Sequence, residues 1–140
     1  MKVLILNGSP KANGNTARAA EEMIKIFNAE GVEVELIHVG NQPVTGCMAC
    51  GACGKLGRCV NDKDMVNEVA AKLEGCDGLV LASPVYYASA NGSFIAFLDR
   101  LFYRRLYSAR LYGNYLRAGS GSSLAVASGQ GSDNQSSGQQ

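Results

Sequence analysis

Val3-Leu4-Ile5-Leu6-Asn7-Gly8-Ser9-Pro10-Lys11-Ala12-Asn13-Gly14-Asn15-Thr16 passes from an unbroken apolar run into a polar, glycine-containing loop, and then into a helical pattern that begins near Thr16. A buried strand, a loop and a helix N-terminus in that order form an anion site. Backbone N–H groups of the loop and of the first helical turn converge there, with the positive end of the helix dipole behind them. Ser9, Asn15 and Thr16 add short polar side chains, and Lys11 adds a cation. The stretch therefore predicts a site for a nucleotide phosphate. It is not a Walker A loop, because five residues separate Gly8 from Gly14 and Asn15-Thr16 stand where Lys-Ser/Thr is required. It also lacks Gly-x-Gly-x-x-Gly, the dinucleotide fingerprint. The plainer alternative is a βα loop whose Asn and Gly residues only make turns.

Around this stretch, 140 residues allow one domain with a single core. A hydrophobic content of 46% with 18% charged residues is that of a globular chain. Thirteen basic against 12 acidic residues give a net charge of +1, so bulk electrostatics point to no nucleic-acid partner. No apolar run approaches the ~18 residues of a membrane span. The run after Lys2 is shorter than the ~7–15 residues of a signal-peptide core, so the expectation is a cytoplasmic protein without a membrane partner. Five cysteines, crowded except for Cys76, do not resemble a secreted disulfide framework.

Ala20, Met23, Ile24 and Phe27 recur at helical spacing, and Gly31 is a plausible stop. Val32-Glu33-Val34-Glu35-Leu36 alternates as a half-exposed strand at a sheet edge does, and strand–helix–strand makes a right-handed βαβ unit the default. Residues 40–61 carry no period, and a loop of that length is functional or pinned. A second helix is expected from Asp62, with Met65, Val69 and Leu73 on one face and Gly75 or Gly78 at its end. Leu79-Val80-Leu81-Ala82 reads as a third strand running into an aromatic loop, Ser83–Ala88. A third helix follows, with Phe94, Phe97, Leu98 and Leu101 buried. Beyond it, Tyr103, Tyr107, Tyr112 and Tyr115 alternate with Arg104, Arg105, Arg110 and Arg117, as in an extended helix with a solvated face or a docking surface. Residues 1–117 are expected to form the domain, with a Cys-rich loop at 46–60. Residues 118–140 form a Gly/Ser/Gln-rich tail with one weak candidate strand, 123–128.

Cys47, Cys50, Cys53 and Cys59 form a C-x2-C-x2-C core with one distal thiol. Structural zinc sites usually pair two C-x2-C hooks a dozen or more residues apart. Three cysteines at intervals of three plus a fourth look more like [4Fe–4S] ligation, although they do not match the ferredoxin run. Zinc, or thiols without a metal, remain open alternatives. Cys76 reads as a small buried residue. Ser83-Pro84-Val85-Tyr86-Tyr87 follows the third strand at the sheet edge where ligands of open α/β sheets sit. Two tyrosines on a backbone stiffened by proline suit a planar ring, or else simply pack at a strand end. The single histidine, His38, has no orienting partner pattern and is given no catalytic role.

Gly8-Ser-Pro-Lys-x-x-Gly14-Asn15-Thr16, the Cys47–Cys59 group, and Ser83-Pro-Val-Tyr86-Tyr87 ahead of Phe97-Leu-Asp-Arg100 occur in that order. Together they resemble the NADPH-dependent FMN reductase superfamily of flavodoxin-like fold, and the cysteines resemble those of its iron–sulfur flavoproteins. The resemblance covers roughly residues 1–105. It implies that Ser9, Lys11, Gly14, Asn15 and Thr16 cradle the FMN phosphate, and that Pro84, Val85, Tyr86 and Tyr87 lie along the isoalloxazine ring. It assigns Cys47, Cys50, Cys53 and Cys59 to a [4Fe–4S] cluster that exchanges electrons with FMN, often near a subunit interface, in a dimer or tetramer.

The expected fold is α/β, a flavodoxin-like doubly wound parallel sheet of order 2-1-3-4. Ser128-Gly129-Gln130-Gly131 would be a third flavin loop, and the fifth strand and last helix are not visible in the sequence. The expected function is FMN-dependent electron transfer coupled to the cluster, with NAD(P)H or ferredoxin as donor and no catalytic side chain required. The alternatives are an NAD(P)H-dependent FMN or quinone reductase without a cluster, a zinc-stabilised binding module, and a truncated, non-functional relative.

Overall fold

The computed structural model describes residues 1–107 and 124–129. Strand β1 (Lys2–Asn7) leads through the Gly8–Gly14 loop to helix α1 (Asn15–Ala29) and strand β2 (Glu33–His38). A long connection carries the one-turn helix α2 (Cys53–Leu56). Helix α3 (Val66–Glu74), strand β3 (Gly78–Tyr86), the short strand β4 (Ser89–Ala90), helix α4 (Gly92–Tyr107) and strand β5 (Leu124–Gly129) follow. β1 pairs in parallel with β2 on one side and β3 on the other, and β5 pairs in parallel with β3. The parallel order is thus β2-β1-β3-β5, which is the expected 2-1-3-4 once the two-residue antiparallel β4 is set aside.

Side chains of a strand alternate between faces, and β1 uses both. Val3 and Ile5 pack with Ala20 of α1 and Val80, joined by Met23, Ile24 and Phe27. Leu4 and Leu6 point the other way, into a larger core with Val66, Val69, Ala70 and Leu73 of α3 and Phe94, Phe97 and Leu101 of α4. A strand buried on both faces can be apolar throughout, as Val3–Leu6 is.

Three elements differ from the sequence expectation. The helix expected from Asp62 starts at Val66, with both carboxylates just ahead of it: Asp64 accepts the Val66 N–H at 3.3 Å and pairs with Arg100, and Asp62 accepts from Arg58 and from Asn67 of the helix. The 40–61 loop contains the single turn α2, which starts at Cys53. The expected aromatic loop is largely strand. β3 continues through Pro84 to Tyr86 and folds back onto β4 as a hairpin, with Val85 opposite Ala90 and Tyr86 opposite Ser89. The expected division at 117/118, most of the tail and the end of the Ser128–Gly131 loop lie outside the described residues, as do residues 108–117 of the Arg/Tyr segment.

Candidate functional site

The C-terminal ends of β1, β2 and β3 feed the Gly8–Gly14 loop, the cysteine-bearing connection and the hairpin onto one sheet edge, where open α/β sheets take ligands. The first loop is built on two close approaches. A Cβ on Gly8 would fall 2.2 Å from the Phe94 ring, and one on Gly40 would fall 2.1 Å from the Ser9 carbonyl oxygen. Asn7 accepts the Ser9 N–H at 3.0 Å through its buried side chain, Ser9 Oγ accepts the Lys11 N–H at 3.2 Å, and His38 Nε2 reaches the Ser9 carbonyl at 2.6 Å. Ser9 and Thr16 are buried, whereas Lys11 and Asn15 are exposed and Gly14 is half-buried. Gly14 occupies the N-cap position of α1, and no side chain caps that helix. Its first-turn N–H groups are therefore not taken by a capping oxygen, the condition an anion site needs.

Asn91 holds this loop to the rest of the edge. Buried at 4% exposure, it is the N-cap of α4: its Oδ1 accepts the Phe94 N–H at 2.9 Å and its carbonyl accepts the Ile95 N–H at 3.0 Å. Its Nδ2 donates to the Gly8 carbonyl, and its own N–H donates to Ser83 Oγ at 3.2 Å. The loop after β1, the end of β3 and the start of α4 thus share one residue. Sequence reasoning missed it, although an Asn directly before Gly92-Ser93-Phe94 is a readable cap signal.

The hairpin turns at Tyr87 (φ 47°) and Ala88 (φ 61°), both left-handed. A two-residue turn with positive φ at both positions matches the twist of its strands, but usually recruits Asn and Gly. Tyr87 stands fully exposed and Tyr86 is more than half exposed, while Pro84 and Val85 are half-buried beneath them. In register, Pro84 lies opposite Gly129 of β5.

Cys47, Cys50, Cys53 and Cys59 all line one cavity of about 220 Å³, which Arg100, Tyr103 and Arg104 of α4 close from the core side. Ala49 (φ 53°) and Gly51 (φ 69°) turn the chain between the first cysteines. Cys47 and Cys50 are exposed, Cys59 is intermediate and Cys53 is buried. Burial pushes the Cys53 thiol up, and the nearby Cys50, Cys59 and Cys47 push it the same way. Among the described residues, no three His, Cys, Asp or Glu side chains are gathered closely enough to hold a metal ion as they stand. Cys76 lies apart and donates to the Lys72 carbonyl at 3.2 Å.

Arg100, quoted in the sequence but given no role there, is buried at this cavity. It donates from Nε and Nη2 to Cys59 Sγ, each at 3.4 Å, and pairs with Asp64. Arg104 is not offered to solvent as the Arg/Tyr pattern suggests: it pairs with Glu74 at 2.8 Å and donates to the Gly57 carbonyl at 2.7 Å. Among the described residues, no helix is long and apolar enough to cross a membrane.

Residues 1–136 match the family model described as NADPH-dependent FMN reductase. An iron–sulfur flavoprotein of Archaeoglobus fulgidus is 35% identical over 101 residues, 72% of this chain and 46% of that protein. The solved apo form of an NADH:FMN oxidoreductase is 30% identical with a TM-score of 0.52, over 71% of this chain and 49% of the other. An NAD(P)H:quinone oxidoreductase from Methanothermobacter marburgensis shares the fold at 13% identity, with a TM-score of 0.66 over 96% of this chain and 87% of that one. The chain spans about half the length of the curated iron–sulfur flavoproteins it matches. The sheet order, the uncapped helix behind a Ser/Asn/Thr loop, and the match along nearly the whole sequence agree: this chain belongs to the NADPH-dependent FMN reductase family.

Proposed function

We propose that the chain holds both FMN and a [4Fe–4S] cluster and couples them in an oxidoreductase, with NAD(P)H as electron donor. The observation that carries this reading is the placement of α4. Its N-cap, Asn91, holds the phosphate loop, and nine residues on, about 14 Å along the axis, Arg100 reaches the cavity shared by the four cysteines. One helix would thus space the two groups.

The residues present fit both groups. The FMN phosphate would take the N–H groups of the Gly14, Asn15 and Thr16 turn, with Ser9 beneath and Lys11 as counter-charge. Pro84, Val85, Tyr86 and Tyr87 would flank the ring, Tyr87 being held outward by its left-handed backbone. Four soft thiols stand around a cavity rather than about a point, which suits a cluster ligated at its corners. FMN supplies the exchange between two-electron and one-electron chemistry, and the cluster supplies single-electron storage. The protein's part is to bind, orient and shield them; no side chain is required as acid or base.

Purification without oxygen, with visible spectra before and after dithionite and iron and acid-labile sulfide analysis, tests the proposal. Flavin bands over a broad absorbance that dithionite bleaches, with equal iron and sulfide, are expected. FMN without iron would leave a cluster-free NAD(P)H-dependent reductase, the reading favoured by the likeness to the NADH:FMN oxidoreductase. A colourless protein with stoichiometric zinc would overturn both.

A further inference from the structure

Arg100 spends its whole guanidinium in one place. Its side chain is 2% exposed. Nε and Nη2 donate to Cys59 Sγ at 3.4 Å, Nη2 also donates to the Asn61 carbonyl at 2.7 Å, and Nη1 pairs with Asp64 and donates to the Thr45 carbonyl at 3.3 Å. A guanidinium has five N–H donors in a fixed fork, and these five contacts use all of them. An ion pair with Asp64 alone would need one edge of the fork. The opposite edge is turned onto the sulfur of Cys59.

We infer that Arg100 is a positioning residue that orients Cys59 as the distal cluster ligand and raises the cluster's reduction potential. This rests on the cluster reading above. Hydrogen bonds to ligand sulfurs and nearby positive charge favour the state that carries one more electron, and a buried guanidinium is little screened by solvent. Cys59 would then carry two N–H donors from one guanidinium. The substituent that lowers the charge at the sulfur sits on α4, the helix whose first residue is capped by Asn91 at the flavin edge.

The test uses the full chain purified without oxygen, with Arg100→Met and Arg100→Lys beside the unmodified protein. Iron and sulfide content come first, then potentiometric titration, following the reduced cluster by electron paramagnetic resonance and FMN by absorbance. The cluster midpoint is expected to fall in Arg100→Met and to fall less in Arg100→Lys, which keeps the charge and loses the fork; the FMN midpoint should not move. If Arg100→Met does not retain iron, the lysine variant carries the same comparison. An unchanged cluster midpoint in an iron-replete variant would make Arg100 a strut between loop and helix and overturn the inference alone. An unmodified protein that takes up no iron overturns the cluster reading, and the inference with it.

Discussion

An alanine at position 40 would place its Cβ 2.1 Å from the Ser9 carbonyl oxygen and 2.4 Å from the Gly8 carbonyl carbon. Both are backbone atoms, so no rotamer change relieves the clash and the Gly8–Gly14 loop itself must move. Gly40→Ala is expected to destabilise the protein by about 1–3 kcal/mol and to weaken FMN binding at least tenfold. Flavin fluorescence quenching and thermal melts would report this, and unchanged affinity would refute the geometry. Asn91 makes a second case. Asn91→Ala removes a helix cap and leaves the Gly8 carbonyl without its side-chain donor, together about 3 kcal/mol. A loss below about 1 kcal/mol in urea unfolding would show that the loop does not depend on it. Both positions matter through partners far along the chain, which is why the reading of Asn7–Thr16 as an anion loop could not include them.

At the scale of elements, the hairpin after β3 shows what the local pattern concealed. Pro84 looks like the end of a strand because it has no N–H to give. It stands where β3 changes neighbours: Leu79–Pro84 are in register with β5, whereas Val85 and Tyr86 pair with β4. At such a junction the missing donor costs little. The turn beyond carries two left-handed residues that are not glycine, a strain of about 1 kcal/mol or more each. Ala88→Gly is therefore expected to raise stability by up to about 1 kcal/mol without weakening FMN. Tyr87→Ala should leave stability nearly unchanged, since the side chain is fully exposed, and weaken FMN several-fold. Paired urea and flavin titrations separate the two effects, and equal FMN affinity for Tyr87→Ala would take the ring contact away from it. The start of α3 carries the same lesson. Asp62 and Asp64 have the right charge for a helix N-terminus and stand just ahead of it, Asp64 accepting the Val66 N–H, but which partners fix them, Arg58 and Arg100, only the fold decided.

Across the whole molecule, a chain of charges ties the edge strand to its neighbours. Lys2 of β1 reaches Glu33 at 3.2 Å and Glu35 at 3.4 Å, and Lys72 of α3 reaches Glu35 at 2.7 Å. The hydrogen bond from Lys72 is the main cause that holds the Glu35 carboxyl below its ordinary range, with Lys2 adding to it. A depressed carboxylate stabilises the fold above its unfolded pKa, and the benefit is lost as pH falls through the folded one. The stability gap between the protein and Glu35→Gln is thus expected to be below about 1 kcal/mol near neutrality, as for solvent-accessible pairs. It should close as pH drops through and below the ordinary glutamate range. Urea midpoints taken from pH 7 to pH 3 measure it, and a gap that widens in acid would reverse the assignment. What the sequence by itself determined is local: an apolar β1 covered on both faces, an α1 that starts after a Gly-containing polar loop, an edge strand of alternating character, and four cysteines carried on one short connection. These follow from side-chain periodicity and turn chemistry within a dozen residues. Tertiary structure alone decided that Gly40 lies on Ser9, that Asn91 joins three elements, that the aromatic loop is a hairpin, and that Arg100 faces Cys59. Each depends on contacts between residues far apart in the chain, where burial makes a hydrogen bond or a close approach decisive and no local pattern records the partner.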